Sequence, residues 1–291
     1  MYESYLGLTE KPFAISPDPQ YLYLSQRHRE GLAHLLFGVQ ERGGFVQLTG
    51  EVGTGKTLLA RALIEQLPDN VRLAYVYNPP RTVRELLDAV FQELDIEPPV
   101  RRHSVRDLTD RLNEYLLQGH ARGHTTVVVV DEAQTLSVDL IEQLRLLTNL
   151  ETHKTKLLQI IMMGQPELQD LLARPQLRQV AQRITARYHL EPLDSRETGE
   201  YIRHRLAVAG CRRPLFSAAA VKVIHRESRG VPRLINVICD RTLLGAYAAG
   251  HNSIDARIAR QAAREVAGRP PPRRRAALVA ALAAAGIALV A

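Results

Sequence analysis

Two periodicities take turns along most of this chain. Short apolar runs at 45–49, 73–77, 127–130 and 157–163 are separated by stretches with helical spacing at 58–66, 83–94 and 108–117. The four valines at 127–130 form an unbroken β-branched run, as expected of a strand buried on both faces. Alternation of strand and helix predicts an α/β fold: a parallel sheet with helices on both faces.

Ahead of the first run, residues 1–42 mix turn formers (Ser16, Pro17, Asp18, Pro19) with the aromatic anchors Phe13, Tyr21 and Tyr23. An amphipathic stretch from 29 to 42 follows, so this part reads as an N-terminal arm leading into a helix. The sheet core is expected at 43–193. Strand signals then stop, and 194–267 reads as helices broken by Gly210, Pro214, Gly230, Pro232 and Gly250, a smaller helical lid domain. The character changes again at Gly268, with a basic, Pro-rich linker at 268–275 and then 276–291 without a single polar side chain.

Composition alters this picture little. A chain of 291 residues, 45% hydrophobic and 24% charged, suits one large domain plus a smaller one. The formal charge of +7 comes mostly from arginines spread over many segments. That spread fits a solvated surface, and contact with nucleic acid or anionic lipid is the other reading. Cys211 and Cys239 form no CxxC or Cys/His cluster, which points away from a disulfide framework or zinc site and toward a reducing compartment. The start carries Glu3 and no apolar core, so no secretory signal is read there.

Candidate chemistry concentrates at one loop. Gly50, Glu51, Val52, Gly53, Thr54, Gly55, Lys56 and Thr57, with Leu58 next, match G-x-x-x-x-G-K-[ST] between a strand and a helix. Glycines there let the backbone wrap a phosphate while the helix N-terminus adds its positive end. Lys56 is expected to reach the β- and γ-phosphates of ATP, and Thr57 to give its hydroxyl to Mg²⁺.

The 127–130 strand delivers Asp131 and Glu132 at its C-terminal end, the edge where parallel sheets bind ligands. Asp131 is expected on the Mg²⁺ side and Glu132 as the base that activates water. The 157–163 strand leads to Gln165, either a γ-phosphate sensor or a turn residue before a Pro-initiated helix. Arg233, just after Pro232, is placed to clamp phosphates from the lid. Among Arg178, Arg183 and Arg187, Arg183 is the chosen trans-acting arginine, supplied by a neighbouring subunit.

In this order, the aromatic arm, GEVGTGKT, VVVVDEAQ, MGQPEL, LRQVAQRI and GVPR resemble an AAA+ ATPase. The set is most similar to the general secretion pathway protein A (ExeA-type) family, with its MSHA-pilus-biogenesis and exopolysaccharide-locus relatives. The likeness spans about residues 1–267, including Gly7, Leu8, Lys11, Pro12 and Phe13. It implies an AAA+ P-loop NTPase fold, Walker A at Gly50 to Thr57, Walker B at Asp131 and Glu132, sensor 1 near Gln165 and sensor 2 at Arg233. It also implies an ATP-driven, ring-like homo-oligomer serving an envelope secretion, pilus or export machine. Members that continue into a periplasmic peptidoglycan-binding domain have no counterpart in this sequence.

Residues 276–291 give about 24 Å of helix, short of a ~30 Å hydrocarbon core. Arg269 and Arg273 to Arg275 stand upstream as on the cytoplasmic flank of a span. The expectation is an ATPase on the cytoplasmic face of the inner membrane with a truncated anchor; a frayed or buried terminal helix is the alternative. Two other functions compete: a DNA-associated AAA+ regulator similar to transposition helper ATPases, which the basic charge favours and an anchor opposes, and a nucleotide-dependent scaffold, which Glu132 opposes.

Overall fold

A computed structural model describes residues 1–15, 18–41, 44–99, 104–151 and 155–269. The segment at 270–291, with most of the Pro-rich linker and the candidate membrane span, lies outside them. The chain divides into two compact units: residues 17–193, and residues 1–16 together with the chain from Asp194 on.

The chain opens with a short helix, α1 (Tyr2–Leu6), which belongs to the second unit. The first unit begins with α2 (Gln26–Glu41) and then alternates strand and helix: β1 (Phe45–Gly50), α3 (Lys56–Gln66), β2 (Val71–Val76), α4 (Val83–Glu93), α5 (Val105–Ala121), β3 (Thr125–Val130), α6 (Val138–Leu147), β4 (Leu158–Gly164), α7 (Glu167–Leu172), α8 (Arg178–Ala181) and β5 (Ile184–Leu190). The strands lie in the order β2-β3-β4-β1-β5. Each pairs parallel with its neighbours.

Side chains that alternate across the strands build two cores. On one face Phe45, Val128, Val130, Ile160 and Met162 pack with α4, α5 and α6 through residues such as Leu87, Phe91, Leu112 and Leu144. On the other, Val46, Leu48, Val127, Val129, Ile161 and Met163 pack with Leu35 of α2 and with Leu59 and Leu63 of α3. The three central strands β3, β4 and β1 are therefore covered on both sides, which is why their sequences carry so few polar positions. The parallel sheet sandwiched by helices is the predicted fold class.

β5 escapes a reading by apolar pattern. It is an edge strand whose Thr185, Arg187 and His189 alternate with apolar positions, and its register against β1 shifts between Phe45 and Val46.

In the second unit α9 (Ser195–Val208), α10 (Ala218–Ser228), α11 (Pro232–Ala248) and α12 (Ala256–Val266) follow one another. Asp194 caps α9 in a reciprocal box, accepting from Glu197 N–H at 2.7 Å while Glu197 accepts from Asp194 N–H at 3.1 Å. The first residues of the chain complete this helical unit. Tyr2 donates to Asp240, Thr9 N–H to the Ala209 carbonyl (2.9 Å) and Arg213 to the Leu6 carbonyl (3.0 Å). Buried Arg205 reaches the carbonyls of Pro12 and Ala14, and Phe13 meets Phe216 edge to face at 6.1 Å. Among the described residues no helix is long and apolar enough to cross a membrane.

Candidate functional site

β1 ends at Gly50 and α3 starts at Lys56, so the glycine-rich loop spans a strand end and a helix N-terminus. Two glycines are sterically required. A Cβ on Gly50 would lie 2.7 Å from the Leu190 carbonyl oxygen, and Gly55 combines φ 107° with a position where a Cβ would sit 2.8 Å from His28 Nε2. No side chain caps α3, which leaves its first N–H groups available to an anion.

Lys56 is nearly fully buried and folds over the loop, donating from Nζ to the carbonyls of Gly50 (2.7 Å) and Glu51 (3.1 Å). Burial pulls its pKa down, against the opposing pull of Glu132, Asp131 and Glu51. A phosphate at the loop would add negative charge directly beside this buried ammonium.

Asp131, buried at the end of β3, is held by three donors. Its Oδ2 accepts from the Thr57 hydroxyl (3.3 Å) and the Tyr75 hydroxyl (2.8 Å), and its Oδ1 from the Glu132 backbone N–H (2.9 Å). Burial first, and then the Asp131 charge, push the Tyr75 phenol well above its usual pKa, so it remains a donor. A hydroxyl and a carboxylate, both hard oxygen ligands side by side at the helix N-terminus, fit Mg²⁺ chemistry.

Glu132 takes a left-handed backbone conformation (φ 51°) directly after the strand, and its Oε2 accepts from Gln134 Nε2 (2.6 Å) and Gln165 Nε2 (3.1 Å). Burial would raise its pKa, but those two hydrogen bonds and the Lys56 charge outweigh it and hold the carboxyl below its usual range. Thus Lys56, Thr57, Asp131, Glu132 and Gln165 gather at the C-terminal edge of the sheet, with Gly50, Glu51, Val52, Gly53, Thr54 and Gly55 forming the loop and Leu58 in the first turn of α3.

Arg183 lies apart from this cluster. Arg183 donates to Asn149 Oδ1 (2.5 Å) and Thr148 Oγ1 (3.3 Å), and its carbonyl accepts from Phe45 N–H, at the opposite end of β1 from the loop. The strand between them runs about 17 Å at ~3.3 Å per residue. Arg187 lies on β5 and donates to the Ala181 carbonyl, and Arg178 starts α8. Arg233 is the second residue of α11, exposed, in the helical unit.

Three neighbours of the site carry no local sequence signal. Tyr75 belongs to β2 and reads only as part of an apolar run, while Gln134 lies in DEAQ with nothing nearby to aim its amide at Gln165. His28, buried in α2, donates from Nε2 to the Thr54 carbonyl (3.0 Å), and its Nδ1 lies 2.9 Å from the Ser25 hydroxyl. Because a carbonyl only accepts, the proton sits on Nε2.

Comparison with known proteins fits this geometry. A sequence signature described as AAA domain matches residues 39–172. The chain is 52% identical over 268 residues to general secretion pathway protein A of Aeromonas hydrophila, covering 92% of this chain and 49% of that protein. It thus spans about half the length of that curated relative. Among solved structures it is similar to Cdc6p from Pyrobaculum aerophilum, with a TM-score of 0.69 at 20% identity over 89% of this chain and 72% of that one. The Aeropyrum pernix ORC2 protein in its ADPNP-ADP complexes gives a TM-score of 0.66 at 19% identity over 91% and 74% of the two chains. At these identities the likeness is one of fold.

Proposed function

This chain is an AAA+ protein related over most of its length to general secretion pathway protein A, and we propose that it hydrolyses ATP, as a homo-oligomer, to assist an envelope secretion, pilus or polysaccharide export system. The observation that carries the hydrolytic part is the convergence of Lys56, Thr57, Asp131 and Glu132 on one sheet edge, joined by the Thr57 to Asp131 hydrogen bond. The secretion part rests on the 52% identity. Attachment to the inner membrane through residues 276–291, with the ATPase on the cytoplasmic face, belongs to the same proposal.

In this reading the loop N–H groups and Lys56 bind the phosphates of ATP, and Thr57 and Asp131 hold Mg²⁺, which supplies charge neutralisation when bound. Glu132, kept ionised, takes the proton of the attacking water. Gln165 stands beside Glu132 as the sensor. Arg233 clamps the nucleotide from the helical unit, and Arg183, a strand length from its own loop, serves a neighbouring copy.

The test is ATP turnover by the whole chain, wild type against Lys56→Ala and Glu132→Gln, with and without double-stranded DNA. Both variants should lose turnover by about 100-fold or more, and DNA should leave the wild-type rate unchanged. Equal turnover in all three proteins removes the hydrolytic assignment. Strong stimulation by DNA replaces the secretion assignment with a DNA-associated regulator.

A further inference from the structure

The carboxylate of Glu132 is part of a closed ring of three hydrogen bonds. Gln134 Nε2 donates to its Oε2 at 2.6 Å, Gln165 Nε2 donates to the same oxygen at 3.1 Å, and the Gln165 backbone N–H donates to Gln134 Oε1 at 3.1 Å. Only one orientation of the Gln134 amide satisfies this ring. A carboxylate only accepts and a backbone N–H only donates, so the NH₂ must face Glu132 and the carbonyl must face Gln165. The space for it is reserved by a missing side chain: a Cβ on Gly164 would lie 2.6 Å from Gln134 Oε1 and 3.3 Å from the Gln134 backbone nitrogen.

We propose that Gln134 is a positioning residue for hydrolysis, pinning Oε2 of Glu132 so that Oε1 is the oxygen that takes the proton from water. Oε1 has no hydrogen-bond partner among the described residues. The proposal rests on the ATPase reading above. In the step it serves, the water oxygen bonds to the γ-phosphorus as its proton passes to Oε1. The bond from γ-phosphorus to the β–γ bridging oxygen breaks, and its electron pair leaves with ADP. Gln134 also makes the base and the end of β4 one unit. When the Gln165 amide turns toward nucleotide, Gln134 still supplies a donor to Oε2, and the carboxylate keeps its orientation.

The experiment measures single-turnover ATP hydrolysis for the whole chain as wild type, Gln134→Glu and Gln134→Met. Binding of a fluorescent ATP analogue and thermal melting are followed in parallel. Gln134→Glu keeps an acceptor for Gln165 N–H but places a like charge beside Glu132, whereas Gln134→Met keeps the volume and removes both bonds. Both variants should hydrolyse at least about 10-fold more slowly at pH 7, with nucleotide affinity within about 2-fold. Gln134→Met carries the comparison if Gln134→Glu does not fold. An unchanged rate, or a loss of rate matched by an equal loss of nucleotide affinity, overturns the positioning role. A wild type that binds nucleotide without hydrolysing it overturns the ATPase reading as well, and is told apart by that result alone.

Discussion

Asp131 shows how much of the site is built from residues distant in sequence. Its carboxylate is buried, and three donors occupy it before any ion arrives. Tyr75, 56 positions upstream, makes the shorter of the two bonds to Oδ2. A single hydrogen bond to a charged group contributes roughly 1.5–3 kcal/mol, so Tyr75→Phe should weaken the apparent Mg²⁺ affinity by about 10-fold or more. A Mg²⁺ titration of fluorescent-nucleotide binding reads this directly; unchanged half-saturation would rule out the tyrosine's part. Lys56, Thr57, Asp131 and Glu132 were legible in the sequence because their spacing is itself the signal. Tyr75 and His28 were not, since each acts across a gap of 26 to 56 positions, and Gln134 was not, since its amide is oriented by Gln165, 31 positions on; nothing in a local window tells a hydrogen-bonding side chain from a packed one.

At the level of elements the same division holds. The valine run of β3 announced itself because a strand covered on both faces tolerates little besides β-branched residues. β5 was hidden, since an edge strand with one neighbour mixes polar and apolar positions as loops do. Caps set the start of three helices: Thr82, Ser104 and Asp194 each open a helix in a reciprocal box with the third residue on. Asp194 matters most for the helical unit, because it begins the first helix after the sheet ends. Asp194→Ala should lower stability by about 1–2 kcal/mol, seen as a lower urea midpoint with the m-value unchanged. A midpoint equal to wild type would mean that packing alone fixes the start of α9.

For the whole molecule, the sequence pattern placed the sheet unit and the helical unit in order along the chain, and it gave the first residues no partner. The structure gives them one: they are part of the helical unit. Tyr2, Leu6, Leu8 and Phe13 are each buried there. At about 1.5–3 kcal/mol per buried side chain, the four together contribute roughly 6–12 kcal/mol. That is as large as the whole stability of an ordinary domain. Deleting residues 1–15 should therefore release hydrogen-exchange protection in α9 and α11 while the sheet amides stay protected. Full protection in both helices after the deletion would refute this account of the unit.

A unit assembled from segments this far apart in sequence also imposes an order in time. Leu6, Leu8 and Phe13 leave the ribosome well before the helices they pack in, and Tyr2 must wait for Asp240, 238 positions later. At roughly 5–20 residues per second that delay is about 12–48 s. For the last 50 positions of it, from Leu190 to Asp240, the sheet unit has all its strands and can fold, while an apolar N-terminal segment trails unsheltered, a natural handhold for nascent-chain chaperones.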